Sequence, residues 1–320
     1  MNELTRILAD AAERIFIDAA PSPAGAYDVS TWTLIAEAGI DRLLLPEDLG
    51  GAGDAVDAAV QIAQRFGAHG CAIPFIETLV ANRWLWEAGV EVGPGPKAVA
   101  LPVTSPAVTW AVDDVLIVCC DGAIMPADRA LAGPRRSNLA AEPVRCLTPE
   151  WAARCSQAIS ESGLALYATL KSAAIAGSLQ AALEMTLRYV TERTQFGRKI
   201  GAFQAVQHMV ACMAEEAAAA TAAVQMAGRR LGARNQLYFA AAAKSRVAEA
   251  ATAVSALAHQ CHGAIGYTRE HSLHRLTHRA LAWRDEAGGE EYWNERIGRA
   301  ALAVSDDQLW RFVLEGDRLP

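Results

Sequence analysis

The chain has 320 residues, 52% of them hydrophobic, and 29 Lys and Arg against 36 Asp and Glu give a formal net charge of −7. That length can bury a substantial core, as two or three domains or as one large helical body with an insertion. The acidic balance excludes a general pull toward nucleic acid or an anionic membrane surface, so an anionic ligand needs a local basic patch.

The opening MNELTRILADAAERIF alternates charge with apolar residues instead of forming a signal-peptide core. No apolar run approaches the roughly 20 residues that cross a bilayer, so a cytoplasmic protein without membrane insertion is expected. Apolar spacing of three and four, as in Leu4, Ile7, Leu8, Ala11 and Ala12, predicts helices over about 2–17, 30–39, 54–68 and 75–88. Between the second and third, LLLPEDLGGAGDA forces a loop through Pro46 and three glycines, with Asp54 predicted to cap the next helix. From about 95 to 150 short β-branched runs (AVALPVT, AVTWAV, DVLIVCC) predict a small central β domain. Helices return over about 151–193, 203–231, 235–262, 269–283 and 289–314. The fold class is therefore mainly α with a small β insertion: an N-terminal helical domain (1–94), a β domain (95–150) and a C-terminal helical bundle (151–320). The seven cysteines, an odd number without metal-type spacing, are expected to be buried thiols, adjacent Cys119 and Cys120 included.

The stretch RTQFGRKIGAFQ, Arg193 to Gln204, interrupts two alanine-rich helices with cations, an amide, a Phe and two glycines. The first helix should end near Arg193–Gln195, with Gly197 as a left-handed residue at its terminus. The next begins near Phe203, and its positive end faces the break. With Arg193, Arg198 and Lys199 this makes a phosphate-sized anion site, beside which Gln195 and Phe196 could bond to and stack on a nucleotide.

RYVTERTQFGRKIGAFQAVQHMVACMA resembles the acyl-CoA dehydrogenase signature, in which a helix ends in Arg-x-(Gln/Thr)-Phe-Gly and the next opens with Phe-Gln. HQCHGAIGYTREHSLHRLTHRA resembles the family's second signature, with Ala264 in place of its usual second glycine. The resemblance covers nearly the whole chain and implies that fold with a C-terminal four-helix bundle. It also implies FAD, an acyl-CoA substrate and an electron-transfer protein as acceptor. By position, Arg193, Gln195, Phe196 and Gln204 would contact the adenosine diphosphate half of FAD. Gln260, Gly263 and Ala264 would reach the pyrophosphate or adenine end from a neighbouring subunit, which implies an oligomer.

In this family a flavin accepts hydride from Cβ of the thioester while a Glu removes the Cα proton. Through Gly177 and Gln180 of SAAIAGSLQ, one of the family's two Glu positions falls on Ala174. The other, a Tyr-Glu-Gly-Thr loop, is represented by WRDEAGGEEYWNERIG, where Asp285, Glu290 and Glu291 are candidate bases and Glu286 lies between them. A solvated helix start is the simpler reading of the acidic cluster, with Glu290 and Glu291 near the positive end of the helix dipole. The ring-holding segment of the β domain is reduced to LPVTSPAVTWA, with Thr104 and Ser105 as remnants or as a plain turn. The combination resembles the base-lacking subunit of heteromeric acyl-CoA dehydrogenases that act on steroid side-chain CoA thioesters. Two alternatives remain open: a self-sufficient homomeric dehydrogenase, and a non-catalytic assembly protein of the same fold. His271, His274 and His278, at i, i+3 and i+7 of one predicted helix, match a family stretch without metal, and no metal is expected.

Overall fold

The computed structural model describes residues 3–19, 26–53, 55–125, 127–316 and 319. Four helices come first: α1 (Glu3–Ile17), α2 (Val29–Glu37), α3 (Val56–His69) and α4 (Phe75–Glu87). In α1 the buried residues are Thr5, Ala9, Ala12 and Phe16, a stripe at helical spacing that faces α3. Asp28 caps α2, its Oδ1 accepting from the amides of Ser30 (3.1 Å) and Thr31 (3.2 Å). Asp54, the predicted cap of α3, lies outside the described residues, and Ala55 precedes that helix without a side-chain cap.

The β region holds β1 (Lys97–Ala100), β2 (Ala107–Thr109), β3 (Leu116–Cys119), β4 (Ile124–Met125), a short helix α5 (Ala127–Ala130), β5 (Leu131–Ser137) and β6 (Pro143–Leu147). Among the described residues they form two three-stranded sheets, β1-β3-β4 with β1 and β3 parallel, and an antiparallel β2-β6-β5. Sequence patterning finds the first three strands and misses the last three. β5 is exposed over most of its length and carries Pro134 and two arginines, so it has no apolar alternation to read. The cysteine expectation is corrected here. Cys119 of β3 and Cys155 are joined by a disulfide, their Cα atoms 5.8 Å apart. The two lie 36 residues apart and meet only because a later helix packs on the sheet, which local spacing does not reveal.

That helix is α6 (Pro149–Gln157), and the predicted 151–193 helix is two elements, α6 and α7 (Glu161–Glu192). The break has a local cause: Ser160 takes an extended conformation and its side chain accepts from the Gly163 amide at 3.0 Å, starting a new helix. After α7 come a two-stranded hairpin, β7 (Thr194–Gln195) and β8 (Arg198–Lys199), then α8 (Gln204–Arg230), α9 (Gln236–His262), α10 (Leu273–Arg284), α11 (Glu290–Ala303) and α12 (Asp306–Glu315). The predicted 289–314 helix is likewise divided, by extended Val304 and Ser305.

One hydrophobic core joins the early and late helices: Phe66 and Phe75 pack with Leu164, Leu170, Val254, Trp283 and Trp293, and the Phe66 and Trp283 rings stack at 5.6 Å. The centre is the seam between α3 and α7, where the backbones nearly touch. A Cβ added to Gly67 would fall 1.8 Å from the Ala174 carbonyl oxygen, and one on Gly177 1.8 Å from that of Gln64. Ser178 Oγ donates to the Gly67 carbonyl at 2.9 Å across the same seam. We expect Gly67→Ala to cost about 3 kcal/mol or more, because the helices must separate along their length. Gly298→Ala, in α11 with nothing near its added Cβ, should instead stabilise by about 0.5–1 kcal/mol. Urea denaturation midpoints of the two variants check both signs.

Candidate functional site

The break between α7 and α8 is a β-hairpin, which corrects the expected helix-terminal turn. Arg193 leaves α7 in an extended conformation, Thr194 and Gln195 pair with Lys199 and Arg198, and Phe196 (φ 51°) and Gly197 (φ 77°) make the turn. Gly197 is left-handed as expected, but as the second turn residue and not as a helix terminus. Two successive positive φ values match the type I′ hairpin, whose twist suits the strands. For Phe196 this conformation costs on the order of 1–3 kcal/mol, and the side chain is 89% exposed. Its ring meets Phe203 edge-on at 6.1 Å, and the Arg198 guanidinium lies 4.1 Å from the centre of the Phe203 ring. Lys199 Nζ donates to the Glu192 carbonyl at 2.6 Å, satisfying the end of α7. At the start of α8 no side chain caps the helix, which leaves leading amides for an external acceptor.

The second signature lies against the first in the same chain. Tyr189 stacks on His262 (4.4 Å) and its hydroxyl donates to the His262 carbonyl at 3.4 Å, while Val190, Ile200 and Cys261 share a small apolar cluster. Arg193, Gln195, Phe196, Gln204, Gln260, Gly263 and Ala264 are all exposed at this end of the bundle. Gly263 has φ 65° and ψ −146°, a region open essentially only to glycine. His271 belongs to this end too, edge-on to His262 at 4.8 Å, and burial first pushes both imidazoles below their ordinary range, with added repulsion from His271 on His262 and from His274 on His271. The residues here fit the adenosine diphosphate half of FAD: cations, an amide, an exposed ring and an uncapped helix start converge.

At the other end of the bundle, the loop after α10 meets the β region. A cleft of about 60 Å³ is lined by Thr104, Ser105, Thr109, Tyr167, Glu286 and Gly288, among others. Its lining residue Glu286 belongs to a buried ionic group. Lys171 Nζ of α7 lies 2.5 Å from Glu77 Oε1 of α4 and 2.6 Å from Glu286 Oε2, and Thr109 Oγ1 of β2 donates to Glu286 Oε1 at 2.8 Å. Burial alone would lower the Lys171 ammonium, but Glu286 and Glu77 hold it well above the usual lysine range. Beside it, Glu142 accepts from Trp283 Nε1 (3.1 and 3.3 Å) and from Asn138 Nδ2 (2.8 Å).

Of the candidate bases, Asp285 also lines this cleft, while Glu290 and Glu291 do not. Ala174 is fully buried in the α3–α7 seam, Asp285 is exposed and paired with Arg284 (3.0 Å), and Glu290 and Glu291 are exposed in the first turn of α11. Thr104 and Ser105 form a turn that also lines the cleft. A flavin ring with a thioester does not fit about 60 Å³, since drug-sized ligands occupy roughly 300–1,000 Å³.

Residues 158–302 match the family model described as "Acyl-CoA dehydrogenase, C-terminal domain". Acyl-CoA dehydrogenase IpdE2 of Mycobacterium tuberculosis (strain ATCC 25618 / H37Rv) is 31% identical over 265 residues, which cover 79% of this chain and 81% of that protein. The chain belongs to the acyl-CoA dehydrogenase family. A solved structure described as a variant of the "Tcur3481-Tcur3483 steroid ACAD" superposes with a TM-score of 0.76 at 25% identity, covering 95% of this chain and 99% of that one. The ChsE4-ChsE5 complex from Mycobacterium tuberculosis gives 0.75 at 21% identity, over 95% and 99%, and so shares the fold. This acyl-CoA dehydrogenase chain thus carries the family's helical body, and its members are flavoproteins that use FAD.

Lys171, Glu77, Tyr167 and Thr109 were not singled out by sequence reasoning. A signal for two of them existed: Lys171 is the lone charge between Leu164 and Leu183, and Glu77 is the lone charge between Phe75 and Asn82. A lone charge in such a run implies a buried partner.

Glu142 provides a pH test. Burial first, then the charge of Glu286, pushes its carboxyl up from 4.5 to about 7, against the pull of Arg279 and Lys171. The folded state then binds more protons than the unfolded one between these values. The stability it contributes is full below pH 4.5 and is lost as pH rises through 7. Relative to Glu142→Gln, the protein should lose on the order of 3 kcal/mol between pH 4.5 and 7.5. Urea titrations of both proteins at the two pH values measure it.

Proposed function

We propose that this chain is the base-lacking subunit of a heteromeric, FAD-dependent acyl-CoA dehydrogenase that introduces an α,β double bond into a CoA thioester with a steroid-derived acyl chain. The observation that carries the reading is the contrast between the two ends of the bundle. Every candidate nucleotide contact is exposed, whereas the two carboxylates lining the small cleft are already paired, Glu286 with Lys171 and Asp285 with Arg284. The steroid assignment is supported by the likeness to the Tcur3481-Tcur3483 steroid ACAD, and the heteromeric one by that paired protein and the ChsE4-ChsE5 complex.

FAD, when bound, supplies the hydride acceptor. This chain's part is to hold it: Arg193 and the uncapped start of α8 would take the pyrophosphate, Phe196 would stack, and Gln195 and Gln204 would bond to polar edges. Gln260, Gly263 and Ala264 would complete the same end, with Gly263 allowing close backbone approach. The general base would come from a homologous partner subunit, and electrons would pass to an electron-transfer protein.

Co-expression with a homologous acyl-CoA dehydrogenase chain that carries the family glutamate, followed by co-purification and a flavin-to-protein ratio, tests this. One flavin per pair is expected, and a chain that binds stoichiometric flavin and bleaches it with acyl-CoA on its own would overturn the reading. In the pair, Arg193→Ala should lose flavin, because a charge-assisted contact contributes about 1.5–3 kcal/mol. Phe196→Gly should retain less flavin yet stabilise the isolated chain by roughly 1 kcal/mol, by relieving the left-handed turn.

A further inference from the structure

Both oxygens of Glu286 are taken: Oε2 by the Lys171 ammonium at 2.6 Å and Oε1 by the Thr109 hydroxyl at 2.8 Å. A general base needs one carboxylate oxygen within about 2.6–3.2 Å of the proton it removes. Lys171 is itself 2% exposed and shared with Glu77, so releasing Glu286 would leave an under-compensated ammonium in the core. The loop that bears Glu286 is also fixed from behind. Lys244, fully buried on α9, donates to the carbonyls of Arg284 (2.5 Å) and Gly288 (2.8 Å), which bracket Asp285–Ala287. Swinging the Glu286 side chain into a reacting position would break its contacts to α7 and β2 together, and moving its loop would break those to α9 as well.

We propose that Lys171 is a resident counter-ion that locks Glu286 as a structural carboxylate, so that Glu286, although it lines the cleft, removes no substrate proton. The inference rests on the two-subunit reading above and adds how this chain's own carboxylate is withheld from the reaction. Lys171 is a positioning residue acting through Glu286.

The test uses the co-purified complex and a steroid side-chain CoA thioester, with turnover and flavin content read on the same sample. Glu286→Gln should keep turnover within about threefold of wild type. A loss of tenfold or more with flavin retained makes Glu286 the base and overturns the proposal, since removing a general base costs roughly 10²–10⁴-fold. Lys171→Met should sharply lower the urea midpoint, because it leaves two buried carboxylates without their cation. The all-neutral Lys171→Met, Glu77→Gln, Glu286→Gln variant should recover most of that loss. No recovery would mean that the Lys171 stem serves only as packing, and would also overturn the proposal. The flavin-to-protein ratio of the unmutated chain decides the two-subunit reading separately, because the Glu286→Gln ratio can be read in whichever assembly proves active.

Discussion

The placement of one ammonium group constrains the centre of this molecule. Lys171 lies in the apolar heart of a 32-residue helix, where an unpaired charge would be prohibitive and would be lost by deprotonation. It stays charged because two carboxylates arrive from distant parts of the chain, Glu77 from α4 and Glu286 from the loop after α10. Each arrival fixes an element. Glu77 draws the N-terminal helices onto α7, and Glu286 draws in the end of α10. Thr109, bonded to Glu286, ties the β region to both. A hydrophobic cluster of similar volume could be as stable or more so, since desolvating three charged groups is costly. What the ionic group adds is a single allowed arrangement of four segments.

That arrangement depends on the α3–α7 seam. Gly67 and Gly177 let the two backbones come together, and Ala174, whose carbonyl nearly meets Gly67, belongs to the contact. A seam this close holds α7 at a fixed depth, and Lys171, three residues before Ala174, is thereby held at the level of the cleft. The position matched to a family glutamate is thus part of a packing surface in this chain.

Much of the helical body was legible because it follows local rules. The runs that became α8 and α9 carry their period in the sequence, and Leu4, Ile7, Leu8, Ala11 and Ala12 announced helix α1, although the face it buries is Thr5, Ala9, Ala12 and Phe16 while Leu4 and Ile7 stay exposed. The Ser160 break was hidden inside an otherwise strong helical run, where a serine cap has no apolar interruption to advertise it. The hairpin at Thr194–Lys199 was illegible for a different reason. Type I′ turns announce themselves by Asn-Gly or Asp-Gly, and here the first turn residue is Phe196, a side chain that ordinarily avoids positive φ. The Cys119–Cys155 bond and the Lys171 group both depend on long-range packing. The sequence held only half of the second, a lone lysine in an apolar helix, without naming its partners.

The misfit of Phe196 also bears on the proposed cofactor end. A large apolar ring held exposed in a left-handed turn is a standing cost, and nothing within the described chain offsets it beyond an edge contact with Phe203. Such strain persists when the surroundings over-determine it, as the paired strands do here, and it concentrates at ligand clamps. The second signature lies at the same end, with Gly263 in a conformation that excludes a Cβ and with His262 wedged between Tyr189 and His271. Both exposed segments are therefore pre-shaped, with their energetic cost already met in the isolated chain. A flat aromatic ligand that covers Phe196 then gains buried area without having to reorganise the turn, and that gain is available only at this end, because the opposite one is filled by its own ions.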